Sequence, residues 1–331
     1  MRFFLTLGLV LVLLGTSQAQ IESVGPIGIT VKDLDRSVQF FTDVLEFEKV
    51  REWESAGNGL EHLQGVFGAR QRTARLRLGG EEIELTQYLT PRGEAFPWGT
   101  KPNDAWFQHI AIVVSDMDKA YARLREAKVE HASPSPQTLP DWNPNAGGIK
   151  AFYFRDPDGH FLELISFPQD KGNPKWRKPE FQDSLFLGID HTAIVVDDTE
   201  DSLRFFRDLL GFEVAGTSEN YGIEQERLNN VFGAHLRITG LKVRGGPGLE
   251  LLEYLSPGTG RKYPADASSN DLLHWQTSLE TSDPSQLSKL LGGQNWLSSG
   301  IVDRRFIVRG PDGHAFVIDG RQTHSQLRIR K

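Results

Sequence analysis

The sequence predicts an α+β protein assembled from four copies of one unit, each a strand, a helix and three further strands. Two levels of repetition and one pattern lead to that reading. "VKDLDRSVQFF" from Val31 returns as "VDDTEDSLRFF" from Val196, and "VFGA" at Val66 returns at Val231. "IELTQYLTP" ending at Pro91 resembles "LELLEYLSP" ending at Pro257, so the matches share a spacing of about 165 residues. Within each half, "ITVKDLDRSVQFF" compares with "IAIVVSDMDKAYARL". In every copy a β-branched apolar run precedes apolar residues at helical spacing.

The units fall at roughly 24–92, 104–168, 186–258 and 270–320. Each opens on a strand such as "GITV" or "IAIVV". Asp33, Asp116 or Asp198 then stands where a short carboxylate accepts the free amides of a helix's first turn. In the first helix Val38, Phe41, Val44 and Leu45 share a face that should pack on the sheet. Later strands read as "ARLRLG", "IELTQYL", "KAFYFRDP" and "HFLELIS", and "DPDG" at Asp156 and "GPDG" at Gly310 are tight turns between the last two strands of their units. By sequence the units group into consecutive domains at 20–168 and 186–320, joined by a linker at 169–185 and followed by a tail at 321–331.

The first 19 residues read differently. Arg2, the apolar run Phe3 to Leu14 and the small residues Ser17 and Ala19 make a secretory signal peptide, too short in its core for a comfortable membrane span. The expected location is therefore secreted or periplasmic, with no stable membrane insertion. No cysteine is present, which excludes thiolate chemistry and a lipid-modified cysteine. A formal charge of −7 over 331 residues, without a long basic run, argues against a nucleic-acid partner.

Two positions in each unit carry ligand-type chemistry. The head of the opening strand holds Pro26, His109, His191 and His274, and a late strand holds Glu84, Glu163, Glu250 and Val317. A strand carboxylate between leucines points away from its apolar neighbours and is costly to bury alone. Histidines and glutamates in matched slots therefore suggest a divalent metal site. The competing reading is repeated polar residues on a solvated sheet face. His160 and His314 each follow a turn glycine and read as turn or rim residues. His62, His131, His235 and His324 have no matched partners and are not ligand candidates, although His131 is placed to line a pocket.

On "HIAIVVSDMDKA", "HTAIVVDDTEDSLRFFRDLLGFEV", "IELTQYL" and "DPDGHFLELIS", the chain resembles the vicinal oxygen chelate superfamily of glyoxalase-like, epimerase-like, extradiol dioxygenase-like and antibiotic-resistance proteins. The resemblance covers nearly all of the chain after the leader, as a tandem four-module member. It implies βαβββ modules paired into two cupped, barrel-like mixed sheets, with metal inside a cup and a small-molecule substrate chelated to it. It maps the opening-strand ligand onto His109, His191 and His274, and the late-strand glutamate onto Glu84, Glu163 and Glu250; Pro26 and Val317 depart from the pattern.

Two pairings of the units follow. If consecutive units share a cup, one holds Glu84, His109 and Glu163 and the other His191, Glu250 and His274. If the second and third units pair, one cup gathers His109, Glu163, His191 and Glu250, and both nonligands fall in the other; this second arrangement is preferred on that ground. Four ligands leave two positions on an octahedral ion such as Zn, Ni, Mn or Co, which suits a lyase or isomerase with Glu163 or Glu250 moving the proton. The set His191, Glu250 and His274 would instead suit Fe(II) and a ring-cleaving dioxygenase. A secreted, non-catalytic small-molecule binding protein is the third alternative, and export makes a glutathione-dependent glyoxalase doubtful. Trp98, Trp106, Trp142, Trp176 and Tyr254 are candidate pocket walls, Arg72, Arg75, Arg77 and Arg237 candidate contacts for an acidic substrate, and the loop from Ser133 to Lys150 a candidate lid.

Overall fold

A computed structural model of the protein describes residues 20–293 and 299–320. Residues 1–19, where a signal peptide is expected, and residues 321–331, with His324, lie outside the described residues. The first unit contains β1 (Ser23–Thr30), α1 (Leu34–Asp43), β2 (Glu48–Ala56), α2 (Asn58–Gln64), β3 (Arg70–Leu78) and β4 (Glu81–Thr90). The second contains β5 (Gln108–Val114), α3 (Met117–Glu126), the short β6 (Glu130–His131) and β7 (Gln137–Thr138), then β8 (Lys150–Arg155) and β9 (Phe161–Ser166). The third contains β10 (Phe186–Val196), α4 (Thr199–Leu203), β11 (Glu213–Asn220), α5 (Ile223–Asn229), β12 (His235–Lys242) and β13 (Gly248–Ser256). The fourth contains β14 (Trp275–Glu280), α6 (Pro284–Gly292), β15 (Arg305–Arg309) and β16 (Ala315–Asp319).

The long helices begin for one local reason. Asp33 accepts from the Arg36 amide at 3.1 Å, Asp116 from Lys119 at 3.0 Å, Asp198 from Asp201 at 2.9 Å and Asp283 from Gln286 at 2.9 Å. Each cap satisfies an otherwise unpaired first-turn amide and contributes about 1 kcal/mol. α4 runs on into a π-helical turn at Arg204–Leu209, which places Phe205 and Phe206 side by side in the core.

The strands form two sheets. One, sheet A, has the order β15-β16-β14-β1-β4-β3-β2; the other, sheet B, runs β11-β12-β13-β10-β5-β9-β8-β6, with β7 also on β8. The sheets are cupped but not closed into barrels, since β11 and the short β6 and β7 remain as separate edges. Sheet A thus joins the first unit to the fourth, through antiparallel β1 and β14, and sheet B joins the second to the third, through antiparallel β5 and β10.

Core packing follows the other grouping. Ile27, Ile29, Leu76 and Leu85 of the first unit share one core with Ile110, Ile112, Phe152 and Leu162 of the second, around Phe41 of α1 and Leu124 of α3. Ile194, Leu249 and Leu251 of the third share another with Leu279, Phe306 and Phe316 of the fourth. Burying a side chain such as Phe41 completely contributes about 2–3 kcal/mol. Most of each core is thus shared by consecutive units, with Phe186, Ile189 and Trp275 joining the first core and Ile21 and Val24 the second, whereas each cup is made by the other pairing. The reason is alternation: one face of every strand goes to the helices and the neighbouring sheet, leaving the other to line a cup.

His160 and His314 are turn residues, as read, but not rim residues: both are buried. His160 donates from Nδ1 to Asp156 at 2.8 Å and from Nε2 to the carbonyl of Leu272 at 2.7 Å, tying sheet B to the start of β14. His314 donates from Nε2 to the Val195 carbonyl at 3.1 Å, the reciprocal tie. Burial works against charge on His160, but the Asp156 carboxylate outweighs it and raises the pKa. Only an imidazolium can donate to both acceptors at once. Its contribution to stability is complete below the unfolded-state pKa of about 6.5 and is lost as pH rises through the higher folded value. The urea midpoint should therefore fall as pH is raised above neutrality, and His160→Gln should flatten that slope as well as lower the midpoint, as read by tryptophan fluorescence.

Candidate metal centre

The cup of sheet B brings together the four residues of the second pairing. On β5, Ile110, Ile112 and Val114 point to the core, so His109, Ala111 and Val113 point the other way. On β9, Leu162 and Leu164 take the core and leave Glu163 on the concave face. β10 and β13 repeat the arrangement, with Ile194, Leu249 and Leu251 in the core and His191 and Glu250 opposite. Strand register then fixes the neighbours: Ala111 lies across from both His191 and Glu163, and Ala193 across from both His109 and Glu250. The alanines of "HIAIVV" and "HTAIVV" leave the centre open between donors related by an approximate twofold.

The donor atoms converge. His109 Nε2 lies 3.0 Å from Glu163 Oε2, and His191 Nε2 lies 3.6 Å from the same oxygen and 3.3 Å from Glu250 Oε2. The ligating atoms of His109, Glu163 and His191 all fall within 4.8 Å of one another; among the described residues this is the one such group of three. His109 is 1% exposed; its Nδ1 has no hydrogen-bond partner and its Nε2 meets the Glu163 carboxylate. A buried imidazole nitrogen turned to a carboxylate beside a second imidazole is what a metal ligand set presents.

The two histidines are held differently. Trp176 donates from Nε1 to Asp190 at 3.1 Å, and His191 donates from Nδ1 to the other oxygen of Asp190 at 3.1 Å. That chain places the proton on Nδ1 and leaves Nε2 for the cup. Trp176 comes from the linker and lies so close to β10 that a Cβ at Gly188 would be 2.7 Å from its ring, hence the glycine. Burial disfavours the charged form of His191, but Glu250, Asp190 and Glu163 outweigh it and raise the pKa to about 10. Burial lowers the pKa of His109, against the pull of Glu163. The cup attracts positive charge, and a divalent cation would satisfy its carboxylates without requiring a proton on imidazole.

Sheet A is a counterexample within the same chain. His109, His191 and Pro26 each stand seven residues before their capping aspartates Asp116, Asp198 and Asp33, whereas His274 stands nine before Asp283. The residue at seven is Gln276, and register agrees: Gly28 lies across from both Glu84 and Gln276, and Ser278 across from Val317. His274 is thus not the fourth unit's ligand-slot residue. It faces Gln276 on sheet A, its Nε2 3.4 Å from Gln276 Oε1, and burial with nearby Arg309 lowers its pKa to about 3. The set His191, Glu250 and His274 is not assembled, because His274 belongs to the other sheet. Glu84 is ion-paired with Arg75, while Leu63, Ile307, Ala315 and Val317 cluster on apolar contacts. Among the described residues the second cup gathers no donor set.

Other candidates resolve. Arg72 pairs with Asp35 and Glu52, Arg77 with Glu82 and Arg237 with Glu253. His62, His131 and His235 are away from the cup, His131 packing on Tyr121 and Phe152. Trp106 is buried beneath Arg261, Trp98 is exposed, and Tyr254 lines the metal cup. The loop from Ser133 to Lys150 reaches the far edge of the sheet: Asn143 donates to Glu219 and Asn220, and Asn145 to the Thr217 carbonyl. It straps β11 to the β7–β8 side.

These features define a class of protein in which cupped sheets hold donor residues on their concave face. The chain belongs to the Glyoxalase/Bleomycin resistance protein/Dioxygenase superfamily, whose sequence profile matches residues 23–164 and 188–282. A 2-epi-5-epi-valiolone epimerase of Actinomyces sp is 35% identical over 147 residues, covering 43% of this chain and 78% of that protein. A lactoylglutathione lyase of Schizosaccharomyces pombe is 27% identical over 202 residues, 58% of this chain, which spans only 60% of that relative's length. The crystal structure of glyoxalase I from Zea mays superposes with a TM-score of 0.59 at 18% identity, over 90% of this chain and 92% of that one, a likeness of fold.

Two outcomes are expected by calorimetric titration with Zn(II) or Co(II). One equivalent should bind; His109→Ala or His191→Ala should abolish binding, and His274→Ala or Glu84→Gln should not. Trp176→Phe, which removes the N–H that orients Asp190 together with part of the ring packed on Gly188, should weaken binding about tenfold.

Proposed function

We propose that the protein is an exported metal-dependent lyase or isomerase acting on a small oxygenated substrate in the cup of sheet B. The observation that carries this reading is the gathering of His109, Glu163, His191 and Glu250 on one concave face, three of them with mutually close donor atoms. A bound divalent ion such as Zn, Ni, Mn or Co would polarise a substrate carbonyl and stabilise the anion left when the neighbouring proton departs.

The chain's part is to hold and move that proton. Glu163 is wedged between the two histidines, which commits it to the donor set. Glu250 touches His191 alone, and its side chain is 29% exposed against 7% for Glu163. Burial raises the pKa of Glu250; His191 opposes this, while Glu163 and Asp190 add to it. It is thus a stronger base than a free carboxylate and is placed to take a proton from one carbon and return it to the same or an adjacent one. His109 and His191 orient, and the strap from Ser133 to Lys150 with α5 keeps water from the reacting carbon. The names of the two relatives, an epimerase and a lyase, fit this chemistry.

His109, Glu163 and His191 alone would also make the two-histidine, one-carboxylate set suited to Fe(II) and dioxygen. Glu250, 3.3 Å from His191, sets a carboxylate base beside that group and favours the first reading. The test is proton exchange in D2O, followed by NMR on α-hydroxy ketones with the Zn(II) or Ni(II) protein. Exchange should occur, and Glu250→Gln should slow it by about 10²–10⁴ while metal content is unchanged. Oxygen uptake with catechols on the Fe(II) protein, without exchange, would overturn the proposal.

A further inference from the structure

The cup carries a second set of polar groups that the metal chemistry does not use. α5 crosses the cup from the third unit and is held to the second by Ser133 Oγ, which donates to the Leu228 carbonyl at 2.6 Å. Its underside presents Gln225 and Asn229, 2% and 0% exposed. Gln225 donates to the Asn229 side-chain oxygen, and Tyr153 pairs with the Asn229 amide. Tyr153 stands across from Glu163 in register, and Tyr254 lies on the Glu250 face of β13.

Two atoms in this wall have no partner: Gln225 Oε1 and the Tyr254 hydroxyl. They are an acceptor and a group able to donate or accept, both buried and gathered on the same concave side as the metal donors. Leaving two such groups unsatisfied costs about 1–3 kcal/mol each, which a ligand bearing matching oxygens would recover. Glu163 and Asp190 act on Glu250, and Glu163 and Glu250 act on Tyr153. Away from the metal, a substrate carboxylate or phosphate would face these carboxylates.

Sheet A provides the comparison. The spacing of the "VFGA" repeat sets Gln225 against Leu60 and Asn229 against Gln64. In the cup that lacks donors, Leu60 packs on Val66 and Tyr88 and makes an ordinary apolar contact. Gln64 keeps an amide whose Oε1 is also without a partner, but the residue is only half-buried and has Leu60, not a second amide, one turn before it. The fully buried pair of amides occurs where the metal donors occur.

We infer that Gln225 and Asn229 of α5, with Tyr254, recognise the substrate's further hydroxyl groups, so that the cup selects a neutral, polyhydroxylated carbonyl compound over an anionic or apolar one. This rests on the metal-dependent reading above. Chelation would hold two adjacent oxygens, and the α5 wall would read the others.

The test uses Mn(II)-loaded full-length mature protein, with binding measured by water-proton relaxation. Three probes are compared: an inosose, which is a pentahydroxycyclohexanone; 2-hydroxycyclohexanone; and hydroxypyruvate. The inosose should bind at least tenfold more tightly than either other probe. Gln225→Leu, a residue the chain already accommodates at position 60, and Tyr254→Phe should each erase most of that advantage. Neither should change Mn(II) affinity or the weak binding of 2-hydroxycyclohexanone. Tightest binding of hydroxypyruvate, or an inosose advantage untouched by both variants, would overturn the inference alone. Failure of the wild-type protein to bind Mn(II), Zn(II) or Co(II) would overturn both it and the reading on which it rests.

Discussion

The antiparallel pairing of β5 with β10 is the constraint on which the rest depends. It sets His109 across from Ala193 and His191 across from Ala111, so one register places both imidazoles on one face with small residues between them. A slip of a single residue would turn both histidines into the apolar core and bring Ile110 and Thr192 into the cup. The flanking strands β9 and β13 inherit the same register and deliver Glu163 and Glu250 to the alanines. Packing enforces it, because Ile110, Ile112 and Ile194 are buried on the opposite face.

The duplicated unit shows what happens when the demand for ligands is absent. Sheet A keeps the pairing, the capped helices and the turn histidine that ties it to its neighbour. Its slots, however, hold Pro26, Glu84, Gln276 and Val317, its glutamate is neutralised by Arg75, and part of its concave face is filled by Leu63 and Ile307. The fold does not require donors at those positions. Their presence in sheet B is therefore a property of the site rather than of the architecture.

Much of this was legible because alternation and capping are local. Apolar runs, capping aspartates and turn glycines mark strands and helix starts within a few residues of themselves, so four units and the matched histidines and glutamates could be read directly. The fourth unit misled because a histidine also stands at the head of its opening strand. His274 lies nine residues before the capping Asp283 rather than seven, and counting back from the cap finds Gln276 instead. The linker gave no periodic signal at all. Trp176 orients His191 through Asp190 by a contact that only the folded chain creates, and α5's amides are distinguished only by the burial that the fold imposes on them. Residues that act through a neighbour brought close by folding leave no spacing to count.

Sheet B is built from one continuous stretch, from Gln108 in β5 to Ser256 in β13, whereas sheet A takes β1 to β4 from the beginning of the described chain and β14 to β16 from its end. During synthesis every strand of the metal cup has emerged before the fourth unit is made. β1, by contrast, pairs with β4 of its own unit but waits for β14, most of the chain away, a contact of high sequence separation and slow closure. The donor-bearing sheet can therefore assemble first and act as the template on which the last unit docks, with His314 reaching back to Val195 as that docking completes.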